Sequence, residues 1–314
     1  MFYRRHNDLS NDHPQFFGSL MQLKGYKIGV IGLGLMGGRL AQNLNRAGGQ
    51  VVIHNRSSTK LNEFTDEGMV DGKNPAGVVK KSDIIILMLP DTKEVRNVLG
   101  GKKGLIAALS PGKLVIDMGT TEVLATKKFA KMIHKKGAMF IDAPVSGGTS
   151  AAEEGSLTIM AGGDKCALKI ASPIFLVLGD QITHVGDNGA GQIAKTANQI
   201  IVGLTIGAVA EALVLAKKAG VNPLQIKKAL VNGFADSQVL KLHGERMIKN
   251  NFVPGGRCVT QCKDMIQANS LANQLGLDLP ATKLGGELFN RAIEMGLGEL
   301  DHSALIKLYD SEFN

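Results

Sequence analysis

Three stretches of the chain combine residue types and spacings that chemistry needs. The first is Gly32-Leu33-Gly34-Leu35-Met36-Gly37. In such a turn the first glycine makes a tight bend, the second lets backbone approach a pyrophosphate, and the third lets helix and strand pack closely. A helix opening there adds amide donors and a partial positive charge, which suits a dinucleotide. The second stretch is Asp142-Ala143-Pro144-Val145-Ser146-Gly147-Gly148. Its Ser-Gly-Gly turn can aim several amides at one oxygen-bearing group, and a plain turn is the competing reading. The third is Lys195, the sole cation between His184 and Lys217. A desolvated ammonium has its pKa driven down, toward the range where it can give a proton to a forming alkoxide. Asn198 and Gln199, one turn further on, are placed to orient a substrate or the lysine. A lysine that snorkels to the surface is the alternative.

The cofactor-selecting position lies at the end of the second expected strand. An acidic residue there would accept hydrogen bonds from a ribose 2′-hydroxyl and repel a 2′-phosphate. The chain has Asn55, Arg56, Ser57 and Ser58, with Lys60 one helical turn on. Two cations and two hydroxyls favour a phosphate, so NADP(H) is expected, with NAD(H) as the alternative. Ser57 would serve equally as the N-cap of a helix behind a solvated turn.

The elements that must hold these residues alternate. Apolar runs beginning at Tyr26, Gln50, Asp83, Leu114 and Met139 read as strands, and amphipathic segments between them read as helices. Further strands are expected at Leu157–Ala161 and Gln181–Val185, with a helix between them. That alternation implies a doubly wound parallel sheet. Gly189 to Gly220 reads as one helix of roughly 45 Å at 1.5 Å per residue. Its segment from Ile200 to Ala210 is apolar or small on every side and should be buried on most faces. Everything after Gly220 reads as helix. The expected organisation is a loose tail over residues 1–25, a dinucleotide-binding domain over 26–188 and an all-α domain over 189–314, with 189–220 as the interdomain helix. Met21, directly before the first strand, is read as the natural start.

Composition excludes several classes. A length of 314 residues suits two domains, and 20% charged residues suit an ordinary globular protein. The longest unbroken apolar run in the long helix is about half of a bilayer span, so no membrane role is expected. The net charge of +8 is dispersed, and aromatics are 4% with no Trp, which argues against nucleic acid. A mild cationic excess also suits an anionic cofactor and substrate. Cys166, Cys258 and Cys262 are too few and too scattered for a disulfide framework or a zinc site. Free thiols, a cytoplasmic location and no metal are therefore expected.

Together the motifs resemble the β-hydroxyacid dehydrogenase family over nearly all of Lys27 to Leu308. The family's strand-linked signature is similar to VIGLGLMGGRLAQNL (Val30–Leu44), its substrate turn to DAPVSGG (Asp142–Gly148), and its Gly-x-Gly-x-x-x-Lys helix to GAGQIAK (Gly189–Lys195). The resemblance implies a Rossmann-type α/β domain, a long interdomain helix and an all-α C-terminal domain, assembled as a homodimer or homotetramer. It implies Lys195 as general acid/base, and Ser146, Gly147 and Gly148 as holders of the substrate carboxylate with Asn198 nearby. Many members carry an asparagine four residues after the lysine, where this chain has Gln199. Leu89, Pro90 and Thr120 match cofactor contacts at strand ends, and Lys263 matches a lysine near the nicotinamide. Glu94 stands where some members place a polar cofactor contact and is not carried over.

Within the family, KTANQIIVGLTIGAVAEAL, KAGVNP, Gly233–Leu240, NFVPGGR and Asp301–Leu305 look most like the 2-hydroxy-3-oxopropionate reductases. The 3-hydroxyisobutyrate dehydrogenases and the glyoxylate/succinic semialdehyde reductases are the alternatives. The implied substrate is a small carboxylate-bearing aldehyde or β-hydroxyacid. A non-catalytic binding module is a remote alternative, because such relatives lack the lysine.

Overall fold

Strands that are apolar on both faces need cover on both faces, and this requirement shapes the first half of the chain. The computed structural model describes residues 22–57 and 61–310. The expected tail and start at Met21, together with Ser58 and Lys60, lie outside the described residues. The chain divides into two units between Lys195 and Thr196, inside the long helix.

In the first unit, β1 (Lys27–Ile31), β2 (Gln50–His54), β3 (Val70–Asp71), β4 (Ile84–Leu87), β5 (Leu114–Asp117) and β6 (Met139–Asp142) run parallel in the order β3-β2-β1-β4-β5-β6. This is the doubly wound order of dinucleotide-binding sheets. β4 is Ile-Ile-Ile-Leu, buried at every position. Alternate residues feed two separate cores, as a period of two requires. Ile28, Ile84, Ile86 and Ile116 point into one, and Ile31, Ile85, Leu87 and Val115 into the other.

The parallel run stops at β6. β8 (Thr158–Gly163) pairs antiparallel with β6 and with β7 (Val145–Ser146), while β9 (Gln181–Gly186) pairs parallel with β8. The sheet is thus mixed at this edge, which strand–helix alternation alone does not reveal. Two short elements between residues 68 and 82 also escape a periodicity reading. They are β3, at two residues, and α3 (Pro75–Lys81), which starts at a capping Asn74 followed by proline. The other helices of this unit are α1 (Gly37–Arg46), α2 (Leu61–Asp66), α4 (Thr92–Leu99), α5 (Leu105–Ala108), α6 (Val123–His134), α7 (Gly148–Glu154) and α8 (Lys165–Leu178).

The second unit is helical. It contains most of α9 (Ala190–Lys218), then α10 (Pro223–Leu230), α11 (Gln238–Ile248), α12 (Cys258–Gln274) and α13 (Pro280–Glu294). The expected last helix is a 3-10 helix, His302–Leu308. Ile206, Ala210, Leu213, Met247, Met265, Phe289 and Leu305 form the core. Cys258 and Cys262 are buried there as free thiols, and burial pushes Cys258 up to about 12.

Of two expectations about α9, one holds and one needs correction. Between residues 200 and 210 only Ile201, at 66%, and Ala208 are exposed, so this segment is buried or half-buried on most faces and open along one stripe. By length and composition α9 also qualifies as a bilayer span, because mean hydropathy averages over the small polar residues that interrupt its apolar runs. Half of its most apolar window is buried inside the fold, as in a core helix of a globular protein.

Candidate active site

The first unit brings its glycine turn and its strand ends to one edge of the sheet. Gly32 follows β1, Asn55 follows β2, Leu89 and Pro90 lie just past β4, Thr120 follows β5, and Ala143 follows β6. These are the carboxyl ends of parallel strands, where doubly wound sheets take their ligands.

The turn itself fits a dinucleotide. Gly32 has φ +99°, a left-handed conformation that favours glycine. A Cβ on Gly37 would lie 1.9 Å from the Gly32 carbonyl oxygen, so the third glycine is required by packing. A Cβ on Gly34 would meet no described atom within 4 Å, which leaves space for a ligand over the second glycine. Leu33, Leu35 and Met36 fill the intervening positions, and Met36 stands at the N-cap of α1 with no side-chain cap on the helix's first amides. Amides of this kind at a helix start suit a phosphate.

Asn55 braces the turn. Its Oδ1 accepts from the Leu33 amide at 3.1 Å and its Nδ2 donates to the Ser57 carbonyl at 3.0 Å. Ser57 is exposed. The Arg56 side chain is 88% exposed and pairs with Glu94 of α4 at 3.2 Å. An exposed pair of this kind contributes little to stability, so the guanidinium stays available to a stronger anion.

The substrate turn and the lysine meet. Lys195 is 8% exposed, and its Nζ donates to the Val145 carbonyl oxygen at 2.7 Å. The next residue is Ser146, half-buried, followed by exposed Gly147 and Gly148. Gly147 (φ +133°) and Gly148 (φ +69°) form the entry to α7. The lysine is therefore not a snorkelling surface residue. Its ammonium lies at the root of the Ser-Gly-Gly turn.

Residues that sequence motifs left without a role hold this arrangement. Asp142 closes β6 and is fully buried. Its two carboxylate oxygens accept from the Gly189 amide at 2.7 Å and the Gln192 amide at 3.0 Å, at the start of the lysine's helix. Burial pushes its carboxyl up to about 6, against the opposing pull of those amides. The Gln192 side chain, also fully buried, accepts from the Thr121 amide at 3.0 Å and donates to the Gly119 carbonyl at 2.9 Å. Asp117, at the end of β5, accepts from the Gly119 amide and the Thr121 hydroxyl. Asp142 and Gln192 both sit inside the quoted motifs, but their partners lie on remote segments.

In the second unit, Asn198 donates to Gln199 Oε1 at 2.8 Å. Gln199 is buried and donates to Gln261 and Asp264 on α12. Its amide is spent on helix packing rather than on orienting a substrate, because Gln261 and Asp264 take up its donor. Lys263 pairs with Asp264 at 3.1 Å.

Residues 27–186 match the NAD binding domain of 6-phosphogluconate dehydrogenase, and residues 189–309 match the NAD-binding domain of NADP-dependent 3-hydroxyisobutyrate dehydrogenase. The 2-hydroxy-3-oxopropionate reductase of Escherichia coli is 45% identical over 90% of this chain and 96% of its own length. The chain belongs to the β-hydroxyacid dehydrogenase family. Among other members, glyoxylate/succinic semialdehyde reductase 1 of Arabidopsis thaliana is 34% identical over 90% of this chain and 97% of its own. The Mycobacterium tuberculosis 3-hydroxyisobutyrate dehydrogenase, solved with L-serine, superimposes with a TM-score of 0.82 at 27% identity, covering 90% of this chain and 99% of that one. This β-hydroxyacid dehydrogenase is accordingly an oxidoreductase that acts on hydroxyl groups of hydroxyacids with a nicotinamide cofactor.

Proposed function

We propose that this dehydrogenase is an NADP(H)-dependent reductase of small aldehyde-carboxylates, with 2-hydroxy-3-oxopropionate as its substrate. The single observation that carries the reading is Lys195, buried and hydrogen-bonded at the Val145 carbonyl, immediately before the Ser146–Gly148 turn. The nicotinamide, when bound, supplies the hydride. Gly32 to Gly37 hold its pyrophosphate at the start of α1, with Leu89, Pro90 and Thr120 along the same sheet edge. Ser146, Gly147 and Gly148 take the substrate carboxylate through the hydroxyl and backbone amides. Lys195 then gives the proton at Nζ to the oxygen of the carbonyl being reduced, and takes it back in the oxidative direction. This is catalysis by positioning plus acid assistance. Asn198 is proposed as a further substrate contact and Lys263 as a cofactor contact.

Identity of 45% to a 2-hydroxy-3-oxopropionate reductase supports the substrate. Asn55 and Arg56, in place of a carboxylate, support NADP(H), since Arg56 can leave Glu94 for a 2′-phosphate. A steady-state assay tests both parts, using 2-hydroxy-3-oxopropionate, glyoxylate and succinic semialdehyde with NADPH and with NADH. The expected kcat/KM is highest for 2-hydroxy-3-oxopropionate with NADPH. Lys195→Ala should lower kcat by about 10²–10⁴-fold, the span of general acid catalysis, and leave NADPH affinity nearly intact. A clear NADH preference overturns the cofactor choice. Unchanged turnover in Lys195→Ala overturns the acid.

A further inference from the structure

The helix carrying Lys195 is tied to the sheet at two places: amides at its start bond Asp142 of β6, and the Gln192 side chain bonds the turn after β5. Gln192 lies one turn before Lys195, so the two project from adjacent positions on one helix face. Its amide is buried at 0% exposure and spans the turn after β5, accepting from Thr121 N and donating to Gly119 O. Thr120, between those two residues, is a proposed cofactor contact. Asp117 fixes the same turn from the other side through the Gly119 amide and the Thr121 hydroxyl, so Gln192 grips a turn that is already rigid.

We propose that Gln192 is a positioning residue, a strut that sets the separation between the cofactor-side turn Gly119–Thr121 and the proton-donating Lys195. This rests on the reading of Lys195 as the acid. Both ends of the amide are needed, because the strut offers one acceptor to an N–H and one donor to a carbonyl. A glutamate has the same shape. Ionised, it keeps the bond from Thr121 N but turns an acceptor toward the Gly119 carbonyl, and two acceptors repel. Protonated, it presents one acceptor and one O–H donor and reproduces the amide. Burial favours the neutral form, which raises the pH at which the replacement still works.

The test is the pH profile of kcat for wild type, Gln192→Glu and Gln192→Leu, with NADPH and glyoxylate, normalised to sites titrated by NADPH binding. Gln192→Glu should be near wild type at low pH and fall about 10–100-fold relative to wild type as the pH rises, the scale of a misplacement of about 1 Å. Gln192→Leu should show a comparable loss at every pH, with no recovery on acidification. KM for NADPH should move less than kcat in both. If Gln192→Glu unfolds at high pH, the uncharged leucine variant still gives the kcat readout. Wild-type kcat and profile in folded Gln192→Glu and Gln192→Leu overturn the strut. Lys195→Ala, assayed in parallel, separates the two claims. Full activity there sinks the acid, whereas a loss there with both Gln192 variants unaffected sinks only the strut.

Discussion

Asp142 in the first unit and Asp301 in the second are both fully buried carboxylates that receive backbone amides, yet their pKa values shift in opposite directions. Burial pushes Asp142 up to about 6, and the groups that donate to it are neutral: the amides of Gly189 and Gln192 and the Asn188 side chain. Burial acts on Asp301 as well, but there it is overcome. Asp301 accepts from the Gly255, Gly256 and Ser303 amides and the Ser303 hydroxyl, and pairs with Arg246 at 3.2 Å. His243 Nδ1 approaches to 3.4 Å, and the neighbouring His302 adds positive potential. Its carboxyl is held well below the usual range. Buried negative charge is stable when cations and donors converge on it, and costly when only dipoles do. Asp301 is therefore a structural hub, saturated on both oxygens and poorly suited to share them with a metal ion. Asp142 sits less comfortably, at the place where Lys195 must be held.

Removing each carboxylate should expose that contrast. The largest effect is expected for Asp301→Ala, which strands Arg246 and several donors and should cost on the order of 3–5 kcal/mol. Urea denaturation measures it, and a loss under about 1 kcal/mol would mean that the hub is decorative. A smaller effect, distinguished by its sign, is expected at Asp142. A raised carboxyl gives stability that is fully present below its unfolded value of about 4 and is lost as the pH rises through about 6. The stability of wild type relative to Asp142→Asn should thus fall by about 1–3 kcal/mol between pH 4 and 7, at 1.36 kcal/mol per unit. For Asp301→Asn the trend reverses, because a lowered carboxyl loses its contribution only as the pH falls below the unfolded value. Thermal unfolding from about pH 2 to pH 7 reads both, with the Asp142 slope between pH 4 and about 6 and the Asp301 slope only below about pH 4, and parallel slopes would erase the distinction. The smallest change is Ser303→Ala, which removes one hydroxyl donor at 2.6 Å from Asp301. It should cost about 1 kcal/mol and leave kcat unchanged.

Much of the site was legible in the sequence because its signals are local. The glycine turn needs only Gly32, Gly34 and Gly37 in order: Gly32 and Gly37 each meet a steric demand in the fold, and Gly34 leaves open space beside the turn. Lys195 stood out as a lone cation in an apolar helix. What local patterns do not carry depends on contacts distant in sequence. Gln192 reaches partners 71 and 73 residues away, and Asp142 reaches amides 47 and 50 residues away. Gln199 looked like a substrate ligand from spacing, but α12 supplies Gln261 and Asp264 to occupy it. Short elements such as β3 were missed because two residues carry no period.

By itself the sequence determined the alternating strands and helices, the helical second half and the glycine turn, together with the residue types offered for proton transfer. These follow from periodicity and steric limits that act between neighbours along the chain. Only the tertiary structure decided that the Lys195 ammonium lies at the Val145 carbonyl, that Arg56 pairs with Glu94, and that the pKa values of two equally buried aspartates shift in opposite directions. Those outcomes depend on which distant groups arrive within a few ångströms of a charge, and folding alone fixes that.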